Sequence, residues 1–327
     1  MVRHGARLTL QYSVVLFAAV CLNFVLPRLA PGDAVDYLFP PEQTGVLTPQ
    51  QRAQVLAEFG LDQPLPTQFL RYLAGIARGD LLVSVRYGRP VVDLLAERVG
   101  WTVLLVGSAV VIASLMGTVL GFRSAWRRGS AQDAAVVAVV LFLDALPVFF
   151  VGLLLLLVFS VQLGWLPTFG AQPSATGGGA GLVLEVGKRL ILPLITLVLT
   201  SIGPIYLVAR SALLSELSDD YVVMAEAKGL TPNQVRRHAQ RNALLPVTTV
   251  VLIGLGTLAG GAVVVETVFS YPGLGRLIYE SVLARDYPVL QGAFLLLAVG
   301  VLAANFLSDL LYPLLDPRVR RPAGAHR

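Results

Sequence analysis

Charged residues and cysteine are scarce in this 327-residue sequence. Asp, Glu, Lys and Arg make up 14% of the residues, against 55% hydrophobic residues, whereas soluble domains contain about a quarter charged residues. This balance excludes an ordinary soluble domain and indicates a protein that lies mostly in a membrane. The single cysteine, Cys21, excludes an internal disulfide framework and a cysteine metal site.

Catalytic and nucleotide-binding patterns are also missing. No Ser, His and carboxylate set and no metal-ligand cluster occurs in or near one hydrophobic run, which argues against a membrane-embedded hydrolase. The stretch that ends at Gly187 has the wrong spacing for a phosphate-binding loop, and Arg189 follows Lys188 where that loop needs Ser or Thr. We therefore expect no enzymatic activity, no metal site and no cofactor bound by this chain.

Six hydrophobic runs are long enough to cross a bilayer. They cover residues 8–26, 101–122, 134–163, 190–208, 247–265 and 289–311. The first run is too long for a cleavable signal peptide and lacks a small-residue cleavage site, so we interpret it as a retained helix. Pro147 is expected to kink the long third run. The predicted fold is an all-α polytopic membrane protein with six transmembrane helices.

These runs divide the chain into four segments. Residues 1–28 contain the first helix, and 29–100 have too few continuous apolar positions to span a bilayer, so they are predicted to form a small helical extracytoplasmic segment. In that segment a capping box at 48–51 and Gly60 bound one predicted helix, and a second helix ends near Gly79. Residues 101–313 form a five-helix core that includes a polar stretch at 211–246, and 314–327 form a tail.

Loops and close packing are predicted from glycine. Loops are expected over 164–187, where residues 177–179 are all glycine, and over 269–288, where the sequence YPGLG resembles a turn. In the fifth run, Gly254, Gly256, Gly260 and Gly261 are expected to expose backbone, which allows close approach of a neighbouring helix in lipid.

Arginine and lysine placement predicts the orientation. Fourteen of these residues lie on the side of the N-terminus, and the short loops on the opposite side contain four. Because positive residues concentrate on the cytoplasmic side, both termini and the polar stretch are predicted to face the cytoplasm of a cell inner membrane. The arginines are scattered at helix ends and do not line one face, which argues against nucleic-acid binding.

The polar stretch between the fourth and fifth runs contains its own helix signals. Gly229 can close a helix that begins near 218–220. Thr231, Pro232 and Gln234 then provide a capping box and a first-turn proline for a second helix. We predict two short helices joined by a tight turn, which present a rigid surface to a soluble partner; an amphipathic connector is the alternative. For His238 we favour a helix-face contact over a pH switch.

Asp144 lies about ten residues into the third run, which places it near the bilayer midplane. A carboxylate is costly there and usually faces a polar cavity or a partner. We therefore expect Asp144 to line a path for a solute, the alternative being a neutral Asp that is hydrogen-bonded between helices. The further candidates for this path are Pro147, Gly254, Thr257, Gly261 and Glu266.

The second half of the sequence resembles a family of transport proteins. The stretches DYVVMAEAKGLTPNQVRRHAQRNALLP, GGAVVVETVFSYPGLGRLIYESVLARDYPVLQG and DLLYPLLDPRVR are similar to the B-type permease subunit of binding-protein-dependent ABC importers for dipeptides, oligopeptides and nickel. The resemblance extends to LPRLAPGDA after the first run and to LPLIT in the fourth, and so covers most of the chain.

This resemblance implies a type I importer permease that forms half of a translocation pathway for di- or oligopeptides. Its implied partners are a homologous second permease in a heterodimer, two ATPase subunits that use ATP, and an extracytoplasmic solute-binding protein. A nickel, metal-chelate or glutathione importer of the same family is the alternative. An ion-coupled secondary transporter that works through Asp144 is a further alternative from another class. The small number of ionisable residues in the hydrophobic runs argues against it.

The resemblance also implies that the polar stretch is the "EAA" coupling loop, whose first helix docks into a groove of the ATPase. Gly229 and Pro246 match the motif glycine and the closing proline. Val223 and Met224 stand where the strict motif has Glu and Ala, and Glu226 stands where this branch often has a basic residue. The residues assigned to ATPase coupling are Tyr221, Ala225, Glu226, Lys228, Gly229, Leu230, His238, Arg241, Asn242 and Pro246.

Overall fold

The computed structural model describes residues 2–25, 48–58, 62–168 and 180–315, and the regular structure in these ranges is helical. The α-helices are α1 (Val2–Val25), α2 (Pro49–Glu58), α3 (Leu65–Arg78), α4 (Val91–Trp126), α5 (Ala131–Asp144), α6 (Val148–Leu155), α7 (Ala180–Leu217), α8 (Asp220–Ala227), α9 (Pro232–Val268), α10 (Leu274–Leu283) and α11 (Tyr287–Leu315). A π-helical segment, Leu156–Gln162, follows α6 directly. The all-α fold class is therefore confirmed.

Four of these helices, α1, α4, α7 and α11, are long and apolar enough to cross a membrane. The pair α5 and α6 passes the same test as one broken span, so the described residues contain four or five candidate spans. The predicted fifth run lies within α9, several of whose side chains fall outside the described part of the chain. The number of six spans therefore stays a prediction.

Helix α4 begins at Val91. The hydrophobic run at 101–122 predicted a start about ten residues later. Val91, Leu94 and Leu95 are buried, so an amphipathic stripe extends the helix beyond its apolar part. A search for continuous hydrophobic residues misses such a stripe, because polar residues such as Asp93 occupy its other face.

Two predicted loops contain helix, so both loop predictions are wrong in part. Helix α7 begins at Ala180, inside the loop predicted over 164–187; the three glycines at 177–179 lie outside the described residues. The loop predicted over 269–288 contains α10, which buries Leu274, Leu277 and Ile278 on one face. In both places the helix is amphipathic or contains glycine. A search for uninterrupted hydrophobic residues therefore underestimates the length of the helix.

The chain breaks at Pro147, where the sequence predicted a kink within one span. Helix α5 ends at Asp144, Pro147 takes an extended conformation (φ −59°, ψ 136°) before α6, and the two helices are bent by 100°. A proline within a helix produces a modest kink, whereas here residues 145–147 leave the helix altogether. The third run is therefore two helices that meet at a sharp corner.

Close helix packing occurs at glycines other than those predicted in the fifth run. A Cβ added at Gly254 or Gly260 would meet no atom within 4 Å, and Gly256 and Gly261 lie outside the described side chains. In α4, by contrast, a Cβ at Gly117 would lie 2.9 Å from Ile205 Cγ2, and one at Gly121 would lie 2.7 Å from the backbone oxygen of Tyr206. The pair GTVLG is a small-xxx-small motif that lets α4 and α7 approach closely.

The chain forms two compact units, of which the first comprises Met1–Trp101 and Pro272–Leu302. Within it, the capping box predicted at the start of α2 is confirmed, since the Thr48 amide donates to Gln51 Oε1 at 2.9 Å; Gly60 lies outside the described residues. Helix α3 ends where predicted, at Gly79 in a left-handed conformation (φ 75°). These elements give 48–58 and 62–79 a helical structure of their own.

The loop after α3 is held by a buried carboxylate in the same unit. Ser84 Oγ donates to Asp286 Oδ2 at 2.5 Å, and the Arg86 amide donates to the same oxygen at 3.1 Å. Nearby, the Tyr87 hydroxyl donates to Glu280 Oε2 at 2.8 Å. Burial would raise the pKa of Glu280, but the hydrogen bonds from Tyr87 and Arg276 lower it below its ordinary value.

The second unit comprises Thr102–Tyr271 and Ala303–Arg327 and contains the polar stretch. Its core is the packing of α7 against α9. On α7, Tyr206, Ala209 and Leu213 are buried, and on α9 the buried residues recur every four positions, at Val235, Ala239, Ala243 and Val247. These stripes follow the helical period, so burial of apolar surface fixes the two helices side by side.

Candidate functional site

Helix α8 is a two-turn helix with a well-defined end. Asp219 is its N-cap, and its carboxylate accepts from the Asp220 amide at 3.1 Å. At the other end Gly229 is left-handed (φ 84°), its amide donates to the Glu226 oxygen at 2.9 Å, and the Leu230 amide donates to the Ala225 oxygen at 3.2 Å. These two bonds form a Schellman motif. The predicted helix and its glycine stop are confirmed.

Helix α9 starts one turn later, with the predicted capping box. The Thr231 amide donates to Gln234 Oε1 at 2.8 Å, and Pro232 occupies the first helical position. The prediction that this second helix is short is wrong, because α9 continues through Pro246 to Val268. Its 37 residues extend about 55 Å at 1.5 Å per residue. The second part of the polar stretch, from Pro232 onward, and the predicted fifth span therefore share one continuous helix.

Tyr221 fixes α8 to its two neighbours. Its hydroxyl donates to Glu216 Oε2 at 2.5 Å near the end of α7, and Asn242 of α9 hydrogen-bonds to the same hydroxyl. The His238 ring meets the Tyr221 ring edge-on at 5.6 Å. Burial and the bond to Glu216 raise the pKa of Tyr221 to about 12. Together with buried Val222, these contacts make α8 a rigid attachment to α7 and α9.

The outer face of α8 is exposed and apolar. Val223 is 64% exposed and Met224 60% exposed, and Leu230 after the helix is also exposed. Helix α8, with eight residues, is too short to be a candidate span. Contiguous exposed apolar residues of this kind mark an interaction surface. Sequence reasoning treated Val223 and Met224 as departures from a motif, whereas the structure places them at the centre of this surface.

The other residues assigned to this element surround that face. Glu226, Lys228 and Arg241 are exposed, and Ala225 is half-buried beneath the exposed face. Pro246 lies inside α9 and is exposed, so the helix passes through it without a break. The assigned residues from Tyr221 to Asn242 thus lie on α8, in the turn after it or in the first three turns of α9, and Pro246 lies about one turn further along α9.

A buried network joins three helices of the same unit. Asp133 at the start of α5 is 5% exposed and accepts from Arg210 Nε at 3.0 Å and from Arg210 Nη2 at 2.8 Å. Ser124 of α4 also donates to Asp133, and the Ser124 and Tyr206 hydroxyls lie 2.6 Å apart. Charge-assisted, two-point bonds of this type are strong and directional. Sequence reasoning treated Arg210 only as an orientation signal.

Asp144 lies at the other end of α5, on the corner before Pro147. Its side chain is exposed in this chain and rests against α7 at Gly203. A Cβ added to Gly203 would lie 2.3 Å from Asp144 Oδ1, so only glycine leaves room for the carboxylate in this position. The structure therefore places a carboxylate at a sharp corner and packs it against bare backbone.

A cavity of about 430 Å³ opens beside this corner. It is mostly apolar, and helices α4, α6, α7 and α9 all contribute to its lining. Its hydroxyl groups come from Ser114, Thr200 and Ser201. Ser114 Oγ is buried and has no hydrogen-bond partner among the described residues. The sequence signal for this cavity was the presence of hydroxyl residues within apolar runs, and no prediction used it.

The remaining path candidates fall in different places. Gly254 lines the cavity, and Pro147 precedes Val148, which also lines it. Glu266 is fully buried and accepts from Thr102 Oγ1 at 2.7 Å. Thr257 and Gly261 belong to α9, and their side-chain positions lie outside the described part.

Known proteins resemble this chain over most of its length. Residues 117–321 match the sequence model of the family described as binding-protein-dependent transport system inner membrane component. The di/tripeptide transport system permease protein DppB of Pseudomonas aeruginosa (strain UCBPP-PA14) is 38% identical over 320 residues, which cover 93% of this chain and 94% of that protein. The dipeptide transport system permease protein DppB of Escherichia coli (strain K12) is 36% identical over 318 residues, covering 91% and 93%.

A solved structure has the same fold. The chain aligns with one from the MetNI methionine ABC transporter in an inward-facing conformation, with a TM-score of 0.56 and 20% sequence identity. The alignment covers 68% of this chain and 96% of the solved chain. At this level of identity the likeness concerns the fold alone.

Proposed function

The chain belongs to the family of binding-protein-dependent transport system inner membrane components, and on this premise we propose that it is the permease subunit of an ATP-driven importer of di- or oligopeptides. It forms half of the translocation pathway, and a homologous second permease forms the other half. The peptide assignment rests on the similarity to the two DppB proteins. This chain binds no cofactor itself, and ATP is used by separate ATPase subunits.

The observation that carries this proposal is the exposed apolar face of α8. Val223 and Met224 project from a helix that is capped at both ends and fixed to α7 and α9 through Tyr221. A partner that binds this face and changes conformation displaces α8. Because α8 is fixed to α9, the displacement is transmitted along α9. A stiff element with distinct contacts in two states is what an ATPase needs to drive a transport cycle.

The path for the peptide runs beside the corner between α5 and α6. The cavity there combines apolar walls with the hydroxyls of Ser114, Thr200 and Ser201, which suits side chains of differing polarity. The exposed carboxylate of Asp144 is close to the same corner and can attract the ammonium group of a peptide. Selection of the peptide belongs largely to the solute-binding protein, which docks on the extracytoplasmic side.

The membrane orientation follows from charge. The arginines around α8 and the two termini lie on the cytoplasmic side, where ATP is available, and residues 29–100 lie on the opposite side. This arrangement puts the ATPase at α8 and the binding protein at the other end of the chain's spans. A multi-pass protein of the cell inner membrane accommodates both partners.

Reconstitution tests the proposal. The chain is co-purified with the products of neighbouring permease and ATPase genes, placed in proteoliposomes with the binding protein, and assayed for uptake of labelled dipeptides. We expect uptake that requires ATP, and loss of coupling without loss of assembly in Gly229→Pro, because proline cannot adopt the left-handed conformation of Gly229. Uptake driven by an ion gradient without ATP would instead establish a secondary transporter.

A further inference from the structure

A basic pocket lies at the end of α4 near the start of α9, and its lining residues come from these two helices and the residue after α4. Its volume is about 690 Å³, and its lining residues are Val119, Phe122, Arg123, Trp126, Arg127, Arg236 and Gln240. No acidic residue of the described chain lines it. Since the first turns of α9 follow α8 directly, the pocket lies on the same side of the membrane as α8.

The arginines of the pocket are available to an anion. Within the described residues, Arg123 and Arg236 make no ion pair, and the Arg236 guanidinium lies over the Trp126 ring at 5.6 Å from its centre. Arg127 donates to the neutral amide of Gln132. The carboxylate of Asp133, which borders an adjacent cavity, is already bonded to Arg210. Three arginines thus line one pocket, and no carboxylate of the described residues lines it with them.

The pocket changes from basic to apolar along α4. Val119, Phe122, Arg123 and Trp126 recur at helical spacing on one face. Val119 lies about one turn deeper in the candidate span than Arg123 and two turns deeper than Arg127, and Phe122 is the residue before Arg123. Tryptophan at the end of a span marks the interface between lipid tails and water. This arrangement matches a molecule with an anionic head and a hydrocarbon tail.

We infer that this pocket binds the headgroup of an anionic phospholipid, with the phosphate on Arg123, Arg127 and Arg236 and the first part of an acyl chain along Val119 and Phe122. Basic pockets between helices at the cytoplasmic surface bind anionic lipid headgroups in this way. The volume lies within the range of about 300–1,000 Å³ that is typical of small-molecule sites. A free phosphate ion would leave the apolar part of the pocket empty.

The bound lipid would connect the end of α4 to the start of α9. Because α9 also carries the contacts of α8, occupancy of the pocket would affect how freely α9 moves. The inference concerns lipid binding by the chain and does not depend on the transported substrate, so it can fail while the proposed transport function stands.

Trp126 itself reports on the pocket. The chain has three tryptophans, and Trp101→Phe with Trp165→Phe leaves Trp126 as the single fluorophore of this type in the full-length protein. Brominated phosphatidylglycerol and brominated phosphatidylcholine are titrated into the detergent-solubilised protein, and quenching of Trp126 is measured. We expect phosphatidylglycerol to quench at lower concentration, with affinity reduced about fivefold for each arginine removed in Arg123→Gln and Arg236→Gln.

The matched control is Arg128→Gln with Arg237→Gln, which removes the same charge from neighbouring positions that do not line the pocket. We expect it to leave the preference for phosphatidylglycerol intact. Equal quenching by both lipids, or an equal loss in the control, would overturn the inference.

Two further arms identify other occupants. Val119→Ser should weaken binding of a lipid tail but not of a free anion. If inorganic phosphate displaces the brominated lipid and Val119→Ser has no effect on binding, the pocket binds a free anion and the inference is overturned. Mass spectrometry of the assembled complex should detect retained phosphatidylglycerol or a related anionic lipid. Its absence, together with protection of Trp126 on assembly, would identify the pocket as a protein interface and overturn the inference.

Discussion

Arg210 and Asp133 form a two-point ion pair, with Nε donating to Oδ1 at 3.0 Å and Nη2 donating to Oδ2 at 2.8 Å. The pair joins α7 to the first turn of α5. The same α5 ends eleven residues later at Asp144, the carboxylate at the corner beside the cavity. The pair therefore fixes one end of the helix whose other end borders the proposed path.

Breaking this pair should destabilise the protein. Asp133→Asn leaves Arg210 partly buried without a carboxylate, and removal of one partner from a buried pair costs about 3–5 kcal/mol. We expect a clear fall in the thermal unfolding midpoint of the purified protein. Arg210→Lys keeps the charge but loses the two-point geometry, so its midpoint should lie between those of Asp133→Asn and the parent protein.

Glu97→Gln is the control for that experiment. Its partner Arg89 lies at 2.5 Å, but the two side chains are 48% and 52% exposed, and exposed pairs contribute about 0–1 kcal/mol. Equal midpoints for Asp133→Asn and Glu97→Gln would show that burial adds nothing to the Arg210 pair.

The exposed face of α8 predicts a defect in ATPase binding. Val223→Asp with Met224→Asp places charge on an apolar docking face and should weaken association with the ATPase subunits by tenfold or more, because a desolvated unpaired charge costs more than about 1.4 kcal/mol. Pull-down of the ATPases by the tagged permease measures this. Asn233→Asp, on the exposed first turn of α9, adds charge outside the face and should bind normally. Normal binding by the double variant would remove α8 from the interface.

The contact between Asp144 and Gly203 predicts a rescue. Gly203→Ala puts a Cβ about where the Asp144 carboxylate lies, so it should lower peptide uptake by displacing that side chain. Gly187→Ala is the matched control on α7, since a Cβ there meets no atom within 4 Å. Asp144→Gly in the Gly203→Ala background removes every side-chain atom that the new Cβ would meet, so it should restore packing but not uptake, as judged by thermal unfolding and transport assays.

Two outcomes would contradict this prediction. Full uptake by Asp144→Asn would make Asp144 a packing residue and not part of the path. Equal behaviour of Gly203→Ala and Gly187→Ala would show that the carboxylate can leave its position without consequence.

The Tyr221 contacts predict a dependence on alkaline pH. Burial and the bond to Glu216 raise the pKa of this hydroxyl to about 12, above the ordinary tyrosine value of about 10. Because the folded state favours the neutral phenol, this contribution to stability is fully present below about pH 10 and is lost as the pH rises through about 12. The ultraviolet absorbance of the parent protein and of Tyr221→Phe is measured as the pH is raised. The difference between the two titrations should show one tyrosine that ionises near pH 12. Ionisation near pH 10 would show that α8 does not hold the hydroxyl.

The outcome of the sequence predictions depended on the range of the interactions. The capping box at Thr231, the stop at Gly229 and the helix end at Gly79 were predicted correctly, because capping and left-handed backbone are properties of a few adjacent residues. The start of α4 at Val91 was missed because it depends on an amphipathic stripe buried against other helices. The break at Pro147 was recognised as a distortion, but its 100° bend depends on what packs around it.

The sequence by itself determined that this chain is a helical membrane protein, where its polar stretch lies, and how the two helices of that stretch are capped. Hydropathy, charge placement and local backbone preference decide these features along the chain. Only the tertiary structure decided that Arg210 pairs with Asp133, that Gly203 makes room for Asp144, and that Arg123 and Arg236 share one pocket. Each of these relationships joins residues from different helices, and the distance between such residues is set by the packing of the helices and not by their spacing in the sequence.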